Sequence, residues 1–251
     1  MPRPATDRPA PPPSPVDHAV RWGLGRARPG SSIDASWPTS ALLAATATWA
    51  TGLVRGLATL AAVPGSRLRV CEADVTIYGR HWCRFGRWLL LERGVTIRAR
   101  GGDGVELGDY VVVGTYSTLE VSSGLATNQG SIRVGSRTSF GDYCYVGGAG
   151  GVVIGRDVLI GQYVSFHSQN HVFSDTGRSI REQGVTSRGI RVGDDCWIGA
   201  GARILDGVEI GAGSVIGAGA VVTKSVSPGS VVTGVPGRVV SRRLADDGGD
   251  G

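Results

Sequence analysis

The sequence predicts an all-β chain wound into a parallel β-helix, and two observations carry that prediction. The first is the stretch at 192–222, VGDDCWIGAGARILDGVEIGAGSVIGAGAVV, where an aliphatic residue recurs every six positions: Val192, Ile198, Ile204, Ile210, Ile216 and Val222. Gly follows four of them, as Gly193, Gly199, Gly211 and Gly217. A period of six fits neither a helix nor the two-residue alternation of one strand. It fits a short strand plus a corner, three of which close a triangular coil with the aliphatic residue inside. The second observation is that the register extends backwards, through Ile154, Ile160 and Phe166, through Val134, Phe140 and Val146, and through Leu107, Val113 and Leu119.

The register breaks in three places. Between Leu119 and Val134 there are three residues too many for whole hexads, and between Val146 and Ile154 two. The second break holds Gly147-Gly148-Ala149-Gly150-Gly151, which reads as a bulge between coils. From Phe166 to Val192 the step is 26 where one hexad needs 6. About twenty residues must therefore leave the prism as a loop at 167–189, too many for a simple turn. The chain has four histidines, and His167 and His171 in this loop are the clustered pair.

Composition bounds the rest. A chain of 251 residues holds one core with a small appendage. Its 41 glycines are explained by hexad corners, since no collagen period is present. The net charge of +5 rests on Arg, with Lys224 the single lysine, and no basic run points to nucleic acid. Four cysteines without a CxxC or zinc spacing suggest a reduced, cytoplasmic chain, with Cys196 a small surface or core residue.

In chain order, the first residues, PRPATDRPAPPPSP, are Pro-rich without an apolar core and no signal peptide is visible, so a disordered tail is expected over 1–36. Residues 40–63 read as a helix whose leucines form one stripe. Arg55, Gly52 and Gly56 argue against a membrane span and leave packing on the prism or peripheral membrane contact. Residues 68–240 form the β-helix domain, with irregular early coils at 68–100 capping it, and 241–251 is a flexible tail.

Three features resemble one family. They are a His that follows a hexad and opens an extruded loop, the Trp197-Ile198-Gly199 that resumes the helix, and the terminal IGAGAVVTK…VPGRVV. Over roughly 130–240 the chain resembles the hexapeptide-repeat O-acetyltransferases, including the maltose and galactoside enzymes and polysaccharide-modifying enzymes of the colanic-acid type. The resemblance implies a left-handed β-helix, acetyl-CoA as co-substrate, a sugar or glycan acceptor and a homotrimer.

It also implies roles. His171 matches the general base, which a sugar hydroxyl needs because its own pKa lies far above neutrality. Glu182 is the candidate to orient that imidazole, though a backbone carbonyl would serve equally. His167, Asn170 and Asp175 are candidates for acceptor binding. On the donor side Trp197, Ala200, Ala218, Thr223, Lys224 and Arg238 match positions along coenzyme A, with the Ala200 N–H as an oxyanion donor.

One departure stands out. A gap-free match puts Gly141 and Ala149 where the maltose/galactoside enzymes carry sugar-binding Asn and Asp, while the Asn-His and IREQGV elements favour the polysaccharide-modifying branch. No metal is expected, because a zinc site of the gamma-class carbonic anhydrase type needs a third His about two coils upstream. The alternatives are N-acetylation of an amino sugar or antibiotic, and a non-catalytic scaffold.

Overall fold

The computed structural model describes residues 47, 50–58, 69–121 and 130–243. The chain divides into two compact units, 1–51 and 52–251. The tail expected at 1–36 and most of the helix expected at 40–63 lie outside the described residues. Residues 50–58 are helical, with Val54 and Leu57 exposed. At Gly52 a Cβ would come within 2.6 Å of Val70 Cγ1, so glycine lets this segment lie against the first coil. No helix among the described residues is long and apolar enough to cross a membrane.

The second unit is a parallel β-helix of the left-handed type. Short strands stack into three faces. The first face runs from Arg69–Cys71 through Leu89–Leu91, Val112–Val113, Ser139–Phe140, Leu159–Ile160 and Trp197–Ile198 to Val215–Ile216 and Ser230–Thr233. The second runs from Thr76–Tyr78 through Thr96–Arg98, Thr118–Glu120, Tyr145–Gly147, Ser165–His167 and Arg203–Leu205 to Val221–Val222. The third runs from Cys83–Phe85 through Gly104–Leu107, Ser131–Val134, Val152–Ile154 and Ile190–Val192 to Glu209–Ile210. The early coils at 68–100 are regular members of these faces, pairing in parallel with the coils above them.

The hexad residues stack in register inside. Phe140, Ile160, Ile198 and Ile216 form one column, and Val146, Phe166, Ile204 and Val222 another. All are buried. Side chains between inward positions point out, as strand alternation requires. Corner backbone is satisfied partly by buried hydroxyls: Ser117 Oγ donates to the Gly141 carbonyl at 3.2 Å and accepts from the Cys144 N–H at 3.0 Å.

The four cysteines are buried core residues, which settles Cys196 as core. Burial pushes the Cys83 thiol up to about 12 and Cys144 up to about 11, which removes their nucleophilic form near neutrality. The C-terminal strand Arg238–Arg242 lies antiparallel on Ser230–Thr233, covering the open edge of the first face. It carries the ordered chain two residues past the domain end expected at 240.

At the corner between first and second faces, Tyr116, Tyr143 and Tyr163 occupy the left-handed region with φ of 54–58°. Their rings stack, with centroids 5.6 and 5.2 Å apart. Gly201 and Gly219 take the same φ region in the coils above.

Candidate active site

The loop leaves after Ser165–His167 and returns at Ile190–Val192. Its root is pinned. Ser168 Oγ accepts from the Gly150 N–H and donates to the Gly147 carbonyl. Asp206 Oδ1 takes the N–H groups of Arg188 and Gly189, both at 2.8 Å. Above the root, Asn170–His171 pairs antiparallel with Val185–Thr186, His171 opposite Val185. This hairpin holds the His171 side chain out in solvent.

The other loop residues are placed individually. Asn170 is exposed beside His171. Asp175 Oδ1 accepts from the Gly177 N–H at 2.9 Å, closing a turn. Glu182 Oε2 accepts from the Ser179 N–H at 3.3 Å, completing a capping box on the short helix Ile180–Glu182. The Glu182 carboxylate thus has a local structural partner within the loop.

His167 sits differently. It is half-buried on the second face, in register with Gly147 and, one coil further, Glu120. Burial, with Arg203 nearby, holds its imidazole below the usual range, so it is neutral at pH 7. Gly147 leaves a gap in this outward column. The Tyr145 ring lies across it: a Cβ on Gly147 would meet Tyr145 Cε1 at 3.0 Å. The Tyr145 hydroxyl reaches Glu120 Oε2 at 3.5 Å, and its ring lies 5.7 Å from that of His167. The Glu120 side chain is 13% exposed and also meets Arg98 at 3.4 Å.

Together these residues line a cavity of about 130 Å³ with Ala149, Ser168 and Gln169. Sequence reasoning missed Glu120 and Tyr145, because they lie two coils and one coil from His167 and only register connects them. Of the two departure positions, Ala149 lines this cavity, whereas Gly141 belongs to the corner between first and second faces.

The donor-side candidates fall at two corners. Trp197 is 57% exposed on the first face, between Leu159 and Val215. Ala200 and Ala218 follow it, stacked one coil apart at the corner between first and second faces, where the Gly219 N–H donates to the Ala200 carbonyl at 2.8 Å. Lower in the same corner, the N–H of Thr115 is taken by Asp142 Oδ1 at 3.0 Å. The N–H groups of Ala200 and Ala218 have no acceptor among the described residues. Arg238 lies exposed on the C-terminal strand beside the first face. Thr223 and Lys224, both exposed, follow Val221–Val222 on the second face, the side from which the histidine loop departs. Among the described residues no three His, Cys, Asp or Glu side chains gather as a metal-ligand cluster.

The model for "Bacterial transferase hexapeptide (six repeats)" matches residues 189–224. Residues 189–224 are a hexapeptide-repeat segment of the bacterial transferase type. The resemblance to hexapeptide-repeat acetyltransferases is thus supported, with the family match falling on 189–224 within the expected 130–240. The chain is 30% identical over 139 residues to a "Probable acetyltransferase" of Mycobacterium tuberculosis, covering 55% of this chain and 44% of that one. It is 41% identical over 109 residues to nodulation protein L of Rhizobium meliloti, covering 43% and 58%. The chain thus spans about half the length of these relatives. Among solved structures, a galactoside acetyltransferase in complex with coenzyme A is similar at 29% identity with a TM-score of 0.43, covering 61% of this chain and 66% of that one.

Proposed function

We propose that this protein is an acetyl-CoA-dependent O-acetyltransferase acting on a sugar hydroxyl of a glycan, glycolipid or glycosylated metabolite. The observation that carries the reading is the exposed corner of Ala200 and Ala218, where two stacked N–H groups have no acceptor among the described residues. Small side chains there let a thioester arm approach the backbone. The Ala200 N–H then binds the carbonyl oxygen as it gains negative charge. His171 takes the proton of the attacking hydroxyl, the new C–O bond forms, and the C–S bond breaks. The imidazole returns the proton to the departing thiolate, so no acyl-enzyme is needed. Trp197 walls the reacting centre, and Thr223, Lys224 and Arg238 hold the distal arm and phosphates. Glu182 is left to order the loop that presents His171, with Asn170 and Asp175 beside the acceptor.

The Ala200–Ala218 pair and the histidine loop occupy different corners of one prism, so no groove of a single chain meets both. We therefore infer a homotrimer in which the Ala200 corner of one subunit faces the histidine corner of the next. The test is release of free thiol from acetyl-CoA with a panel of sugars. Acceptor-dependent release supports the reading, and a protein that neither releases thiol nor binds coenzyme A is a scaffold instead. The nearly buried Glu120 carboxylate favours a second reading, N-acetylation, because it suits an ammonium group in the adjoining cavity. Comparing amino sugars with their N-acetylated forms separates the two.

A further inference from the structure

A second cavity lies on the third face, across the loop root from the one beside His167. It measures about 360 Å³, and its floor follows one outward column: Arg133, Val153, Arg191 and Glu209 in successive coils. Arg188, the last arginine of the loop, closes its side. Three arginines and one glutamate therefore line the cavity.

Their commitments differ. Arg133 pairs with Asp103 at 2.7 Å, and both side chains are more than half exposed. The Arg188 and Arg191 side chains pair with no carboxylate among the described residues, and Glu209 stands next to Arg191 in register without an ion pair. The stem of Arg188 rests over Gly207, where a Cβ would meet its Cδ at 3.2 Å. That contact directs the side chain along the cavity wall.

Spacing supplies the geometry. Neighbouring strands lie about 4.8 Å apart, so Arg133 and Arg191 are separated by roughly 10 Å across the short Val153 side chain. Two forked side chains at that separation converge on a group with several oxygens. Glycines 150, 151, 189 and 207 line the same cavity and leave it room.

We propose that this cleft binds a phosphate group carried by a phosphorylated or nucleotide-linked sugar. The assignment is independent of which histidine acts as base, or whether any does. An anion held by Arg188 and Arg191 also ties the exit of the histidine loop to the prism.

The test is calorimetric titration of the full chain with inorganic pyrophosphate, at low and raised salt. Wild type is expected to bind, more weakly as salt rises. Arg191→Gln and Arg188→Gln should each weaken binding about tenfold or more. Arg84→Gln, on the same face but outside the cleft, should not. Competition then tests the source: displacement by glucose 1-phosphate marks a sugar phosphate, whereas displacement by coenzyme A without displacement by glucose 1-phosphate overturns the assignment to a sugar. No binding by wild type, or equal affinity in wild type and both cleft variants, overturns the proposal.

Discussion

Replacing Gly161 by alanine should move the Ala200 amide without touching a functional side chain. A Cβ at residue 161 would lie 2.6 Å from the Ala200 nitrogen and 2.9 Å from its Cα. Carbon contacts settle near 3.5 Å, so the two coils must part at this corner by close to an ångström, roughly 0.5–1 Å. Overpacking of this kind costs about 1–3 kcal/mol of stability. A displacement near 1 Å in a reacting constellation costs on the order of 10²-fold in rate. Gly135→Ala is the control. Its Cβ would lie 2.6 Å from the Gly155 carbonyl carbon and 2.7 Å from the Arg156 nitrogen, an equal clash at the corner between third and first faces. Denaturant unfolding and thiol-release kinetics on both variants decide the matter. Both should lose similar stability, and the Gly161 variant alone should lose turnover. Equal turnover in the two would refute the role given to the Ala200 N–H.

His171→Ala should lower kcat by about 10² or more with coenzyme A affinity unchanged, because the imidazole acts on the hydroxyl proton in the transition state; a larger loss from His167→Ala would reassign the base. Mixing His171→Ala chains with equally inactive Ala218→Trp chains should restore about a quarter of wild-type activity in refolded trimers, since each shared site draws one half from each neighbour; no recovery would place the whole site in one chain. The neutral His167 makes a pH prediction. Its folded pKa lies below the unfolded value of about 6.5, so the unfolded chain takes up the extra proton and stability falls as pH drops through that range. His167→Gln should flatten the fall in denaturant midpoint between about pH 7.5 and 5.5, and an unchanged slope would count against it. Phe166→Ala should cost about 3–5 kcal/mol in calorimetry, because the ring is fully buried between Val146 and Ile204.

The prism was legible because its core demands one kind of residue at one interval. Ile198, Ile204 and Ile210 each fill a different face of the same coil, so the hexad appears directly in the chain. The early coils were harder to read, because Cys71, Cys83 and Ala99 fill inward positions and the strand spacing stretches beyond six. The histidine loop announced itself as a surplus of residues, and His171 as its polar content. Glu120 and Tyr145 gave no local signal. Their meeting with His167 depends on parallel register and on Gly147 being small, and neither can be seen before the coils are stacked. The separation of the donor candidates between corners was equally hidden, since Ala218 and Thr223 are near neighbours in sequence yet a face apart in space.

The pinned root of the histidine loop divides the labour of inheritance. Phe166 packs against Ile204, and Val152 pairs with Ile190, whether or not anything hangs between Ser168 and Gly189. Mutations that lengthen, shorten or rewrite the hairpin leave the stacked interior untouched, while changes to the buried side chains leave the hairpin's own groups in place. The hairpin can therefore vary quickly on a scaffold that changes slowly, and descendants of this chain would diverge first in what the loop presents and last in how they are wound.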